Sequence, residues 1–335
     1  MDLSRLGVLV TRLRLDPPDD LVAAVQRLDS WVDAGTAPES VRGPEELHRW
    51  LGEMNARLLT GYLRRLRPMR DEREQRFATI ALSGSLRPAS RWLPGSIKPQ
   101  IEPDRAPQDI GKTLKRIARR LAADCALEAI DTETSADVYL GTALNLPLEN
   151  ESADAVVTSP PYYVTYDYLD VQRLTYLAFG WDLPAHDQIG RRYFISPDGF
   201  GFVPPSSMKA WYERYRKEET VLGRALRAYL NDLDAHLGEV QRVLAPHGIV
   251  AYAIGNSKRR EETFDLAAAL AELMVRRGFN DVEVVTRGQG TRRILPSGRD
   301  LKTGRFSSQT TSVVDERIVW ARAPKGEKPT ANQHF

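Results

Sequence analysis

One junction restricts this chain more than any other feature. Asp154-Ala155-Val156-Val157, an acid followed by an apolar run, reads as a buried strand. It leads directly into Thr158-Ser159-Pro160-Pro161-Tyr162. Two consecutive prolines hold φ near about −65° and offer no N–H to a neighbouring strand. The strand must stop there, and the stop is a stiff corner whose carbonyls are free to accept hydrogen bonds. An aromatic ring stands at its far end. Such a corner can hold the exocyclic amino group of a flat heterocycle while the ring stacks on the base.

The flanking pattern says what the corner is built into. Residues 1–130 read as helices. Asp19-Asp20 can cap a segment with Leu21, Val25, Leu28 and Val32 on one face. Pro44-Glu45-Glu46 opens a second, with Leu47, Leu51, Met54, Leu58 and Tyr62 in register, and the glutamates suit its positive dipole end. Asp71 opens a third with Phe77, Ile80 and Ala81. Ile110, Leu114, Ile117 and Leu121 line a fourth, whose other face carries Lys112, Lys115, Arg116, Arg119 and Arg120. That basic face is either a solvated helix surface or a DNA contact. The Pro-, Arg- and Ser-rich stretch 86–107 between the third and fourth is expected to be a long loop.

From about 136 the period changes. Val138-Tyr139-Leu140 predicts a short strand ending at Gly141-Thr142, and Asp154–Thr158 predicts the next. Leu226, Leu230, Leu233, Leu237, Val240 and Leu244 step by four and three, an amphipathic helix. Ile249–Ile254 predicts an apolar strand, and Leu266, Leu270 and Leu273 a further helix. Val282–Val285 and Val313–Ala321 are expected to form an antiparallel pair. Strands alternating with helices imply a layered α/β sheet. Three regions follow: 1–130, helical; 131–323, an α/β core with an insertion at 181–220; and 324–335, a polar tail.

Composition narrows the chemistry. The chain has 335 residues, 42% hydrophobic and 27% charged, within the ordinary range of globular proteins. Its net charge of +2 is a weak pointer to an anionic partner. A single cysteine, Cys125, excludes an internal disulfide and suits a reducing compartment, so a cytoplasmic setting is expected. Five scattered histidines show no metal-ligand spacing, and no metal is expected. No apolar run is long enough to span a bilayer. No Gly-x-Ser-x-Gly turn supports a serine hydrolase.

Asp154–Tyr162, followed by Tyr166-Asp167-Tyr168, resembles the motif of bacterial DNA amino-methyltransferases of the cytosine-N4 and adenine-N6 type. Leu140–Pro147 is similar to the strand end that in this family approaches the cofactor adenine, with Thr142 where Asp is frequent. Arg242–Ile249 resembles the family's later helix-turn-strand. The helical stretch 43–107 is similar to an insert of some members. Asp2-Leu3-Ser4-Arg5-Leu6-Gly7 resembles the stretch just after the second strand, which makes Asp2 the acid for the ribose hydroxyls. A Phe-x-Gly-x-Gly turn, which in the family admits the methionine moiety, does not occur.

The resemblance implies a Rossmann-like class I methyltransferase sheet that is incomplete, its first two strands missing, behind an N-terminal helical region. It implies S-adenosylmethionine as cofactor and double-stranded DNA as substrate. It makes Ser159, Pro160, Pro161 and Tyr162 catalytic, and places Asp2, Gly141, Thr142 and Thr158 at the cofactor. Tyr163 and Tyr166 are candidates to help stack the base. Arg191, Arg192, Arg292 and Arg293 are candidates for DNA contact, the last two within the basic stretch 287–305. A second polypeptide supplying the missing strands is one expectation; a non-catalytic remnant or subunit is another. A circular permutation would put the glycine turn at Ile254-Gly255-Asn256-Ser257, which lacks the second glycine. Related proline corners also serve RNA-base methylation. Ser-Pro-Pro-Tyr leans to cytosine N4, although the corner accepts either amine.

Overall fold

A computed structural model describes residues 1–35, 45–96, 99–127, 135–161, 163, 170–182, 203–218, 221–259, 262–286 and 313–324. The chain divides into two compact units: Met1–Leu140 with Asp167–Pro184, and Gly141–Tyr166 with Ala185–Phe335.

The first unit is helical. It contains α1 (Arg5–Leu15), α2 (Leu21–Asp33), α3 (Glu45–Leu51), α4 (Glu53–Leu66), α5 (Glu72–Leu86), α6 (Ile110–Leu127) and α7 (Arg173–Phe179). Side-chain caps set four starts, that of α6 by Asp109, which accepts from Lys112 N at 2.7 Å. Ser4 Oγ accepts from Gly7 N at 2.8 Å, Asp20 from Ala23 N at 2.8 Å, and Asp71 from Arg73 and Glu74 N. Each such cap contributes about 1 kcal/mol. The stripe over 45–66 is broken into α3 and α4 because Gly52 sits at φ 72°, a value that residues with a Cβ resist. Phe77, Ala81, Ile110 and Leu114 are fully buried in a core that also takes in Trp50 and Trp92.

The loop from α5 to α6 is anchored by Asn55. Its Nδ2 donates to Ala89 O and Gln108 O, and its Oδ1 accepts from Ile110 N. A buried amide so satisfied fixes where α6 begins. Part of the basic face of α6 is turned onto α2: Lys115 meets Asp33 at 2.5 Å and Arg119 meets Asp29 at 2.7 Å. These two cations therefore serve helix packing. Val138–Leu140 is not a strand. It makes a single parallel bridge from Leu140 to Asp2, with Asp2 N donating to Tyr139 O, and so lacks the repeated pairing a strand needs.

The second unit is a mixed sheet with helices. It contains β1 (Ala153–Thr158), α8 (Lys209–Glu218), α9 (Val221–Val243), β2 (Leu244–Arg259), β3 (Glu262–Phe264), α10 (Leu266–Arg276), β4 (Asn280–Thr286) and β5 (Val313–Arg322). The order is β1-β2-β5-β4, with β3 also on β2. β1 runs parallel to β2, whereas β5 is antiparallel to both β2 and β4. The Pro246-His247-Gly248 corner lies within β2 as a register shift: Ala153 faces Leu244, then Ala155 faces Ile249.

α9 and α10 cover one sheet face. Leu230, Leu233, Leu237 and Leu270 are fully buried with Val250, Tyr252, Ile254 and Val319. Among the described residues nothing covers the other face. Val157, Ala251 and Trp320 stand in register across β1, β2 and β5, beside Ile249 and Val285. Val157 is 82% exposed, Ile249 41% and Val285 47%. Among the described residues β1 pairs only with β2, so its outer edge carries no partner.

Candidate functional site

The proline corner forms at the carboxyl end of β1. Thr158 is the last residue in register, opposite Tyr252 of β2. Ser159 is exposed, Pro160 buried and Pro161 half-buried. The ladder ends at Thr158 because neither proline can donate to it. In open α/β sheets this carboxyl end is where ligands bind.

Tyr163 lies beneath the corner. It is 3% exposed, with ring centroids 5.7 Å from Tyr229 and 5.4 Å from Phe264. The ring is thus packed into the core of the sheet unit. Tyr162, Tyr166, Arg191, Arg192, Arg292 and Arg293 lie outside the described residues.

The segment after Leu140 is held by α9. Thr142 Oγ1 accepts from Leu144 N at 3.3 Å, and Asn145 N donates to Thr142 O, which makes a turn starting at the half-buried Gly141 and Thr142. His236 Nδ1 bonds Ala143 O at 2.9 Å. A carbonyl only accepts, so Nδ1 carries the proton. Leu146 N donates to Glu239 at 2.9 Å. The Arg242 guanidinium donates to Leu146 O, Leu148 O and the Asn150 side chain, and pairs with Glu239. That hydrogen bond from Arg242 holds the Glu239 carboxyl below its ordinary pKa, and Glu239 in turn raises Arg242. Burial pushes the His236 pKa down, against the opposing bond to Ala143 and the charge of Glu239.

Sequence reasoning missed this clamp. Its signal was the series His236, Glu239, Arg242, polar residues on the α9 flank at spacings of three. Spacing alone does not say which segment they grip.

Asp2 belongs to the helical unit. Its Oδ1 accepts from Ser4 N at 2.7 Å, which shapes the entry to α1. Its Oδ2 lies where a side chain on residue 7 would clash, 2.9 Å from an ideal Cβ, and glycine at that position removes the conflict. Among the described residues no group of three or more His, Cys, Asp or Glu could hold a metal ion. Among them, too, no helix is long and apolar enough to cross a membrane.

No protein-family model matches the chain, and no curated protein does. Among solved structures it is similar to a candidate DNA modification methylase from Thermus thermophilus. A selenomethionine form of that protein matches at 21% identity and TM-score 0.28, covering 57% of this chain and 56% of that one. A second structure of it matches at 21% identity and TM-score 0.27, with the same coverage. A form complexed with S-adenosyl-L-methionine matches at 19% identity and TM-score 0.27, covering 57% of this chain and 55% of that one. The chain thus spans little more than half the length of these proteins. TM-scores of 0.27 and 0.28 do not amount to a common overall fold. This chain's own residues carry the functional argument.

Proposed function

We propose that the chain carries the base-holding corner of a site-specific DNA methyltransferase, acting on an exocyclic amine, cytosine N4 before adenine N6. One observation supports this above the rest. A rigid corner with no N–H donors at its prolines ends a parallel strand, with Ser159 exposed at the sheet end where ligands bind. An exocyclic amine is a poor nucleophile because its lone pair delocalises into the ring. Ser159 Oγ and the Pro160 carbonyl would accept its N–H bonds and draw the nitrogen towards sp³ geometry. Tyr162 would stack on a base that has left the duplex, offsetting an unstacking cost of a few kcal/mol. Arg191, Arg192, Arg292 and Arg293 would contact phosphates, giving an affinity that falls steeply with salt.

The donor in this reading is S-adenosylmethionine, and the residues fit it only in part. Asp2 offers an exposed carboxylate of which one oxygen is already bonded to Ser4. The Thr142 hydroxyl is turned to Leu144 N. Neither cradles a methionine moiety, and Phe-x-Gly-x-Gly is absent from the sequence.

The reading therefore includes a second polypeptide that completes a Rossmann-like sheet. Its support is the open edge of β1 and the 82% exposure of Val157. Parallel strands are ordinarily covered on both faces, and unpaired edges invite pairing. The same openness favours one alternative, a non-catalytic DNA-binding subunit. The separating experiment uses duplex DNA and donor with this chain alone, and with the product of an adjacent gene. Methylation in the mixture alone is expected. Tyr162→Ala should abolish it with DNA affinity kept, and Ser159→Ala should reduce it less. An isolated chain that is monomeric, folds cooperatively and binds the donor at micromolar strength contradicts the split.

A further inference from the structure

The helical unit holds a cleft that the proposed chemistry does not use. Its volume is about 430 Å³, and it is lined by α1, the end of α4, the start of α5 and the end of α7. Three helix faces supply its charge. Arg5 and Arg12 are seven apart on α1, one stripe of a helix. Arg67 closes α4, and Glu72 and Arg76 open α5. Four arginines thus face one acid.

They are not equally committed. Arg76 donates to Arg12 O and Asp16 O and lies 3.5 Å from the Asp16 carboxylate, so it ties α5 to α1. Arg12 donates to Val138 O and has no carboxylate partner among the described residues. Arg5 and Arg67, both exposed, have none there either. Arg5 is nonetheless held in place. Its guanidinium lies 4.8 Å from the Trp181 ring centroid, and Trp181 is stacked at 4.9 Å on Phe179 and edge-on to Tyr176 at 5.6 Å. A guanidinium fixed by an aromatic stack loses little entropy on meeting a ligand.

We propose that this cleft binds a phosphate group borne by a nucleotide, either free or within a single nucleic-acid strand. Guanidinium forks match phosphate oxygens bidentately. A cleft of this size exceeds a lone phosphate and suits an organic body attached to it. The proposal does not depend on methyl transfer.

Calorimetric titration of the full chain at low salt tests it, with inorganic phosphate, deoxyadenosine monophosphate and a short oligothymidylate as probes. Arg5→Ala and Arg67→Ala should each weaken binding about tenfold with an unchanged thermal midpoint, and Arg67→Lys should recover part of the loss. Each alanine variant should lower the salt slope by about one with the strand probe. Glu72→Gln should tighten binding, a gain that a purely structural role would not produce. Arginine-dependent binding of the strand but not the monophosphate assigns the site to nucleic acid; equal dependence for the monophosphate assigns it to free nucleotides. Binding by no probe, affinities unchanged in both alanine variants, or weaker binding by Glu72→Gln would overturn the proposal.

Discussion

The two units solve the burial problem differently. The helical unit closes on itself: Phe77 and Leu114 are fully buried, Asn55 has its amide satisfied, and α6 lends Lys115 and Arg119 to the acids of α2. The sheet unit closes on one side. α9 and α10 bury Val250, Tyr252 and Ile254, while Val157, Ile249 and Val285 face outward on the other side. Among the described residues, the unit that carries the Ser159 corner is thus the one with an uncovered sheet face. Apolar area exposed to water costs about 25 cal/mol per Å² that burial would recover. An exposed strand face and edge are therefore a standing drive towards association.

Substitutions can break this contrast. Phe77→Ala should cost about 3–5 kcal/mol in denaturant unfolding, since it leaves a cavity in a closed core. A loss below about 1 kcal/mol would mean that the helical core is not closed. Acid should act next, and on the sheet unit. Burial lowers the His236 pKa in the folded chain, so below about pH 6.5 the unfolded chain takes up a proton more readily than the folded chain does. Stability should be full above that pH and fall as pH drops towards the lowered folded value. His236→Asn should flatten the fall, and an unchanged pH profile in that variant would contradict it.

Two smaller effects sharpen the contrast further. Asp33→Asn breaks a half-exposed pair with Lys115 and should cost at most about 1 kcal/mol, less at high salt. Val157→Ala should change stability by less than about 0.5 kcal/mol, because that side chain is already in water. A larger loss there would show that the open face is covered in solution.

Much of this was legible in the sequence. Asp20 and Asp71 announced their helices because a capping carboxylate is a local device. The leucines of α9 announced a buried stripe, and the apolar runs of β4 and β5 an antiparallel pair. The junction at Thr158 was legible because proline acts on its own backbone. What could not be read depends on distant partners. Gly52 splits one apolar stripe into two helices through a single positive φ. α7 and α8 fall where no sustained period is visible, and nothing local in the sequence announces that Tyr163 packs against Tyr229 and Phe264. The arginine cleft needs four helices to exist, and no one of them displays it.

The direct test is nucleoside mass spectrometry of DNA from cells expressing this chain with its genomic neighbours. The account predicts a base methylated on an exocyclic nitrogen, chiefly N4-methylcytosine, that disappears with Tyr162→Ala. Absence of any such base, or an undiminished level in the Tyr162→Ala cells, would contradict it.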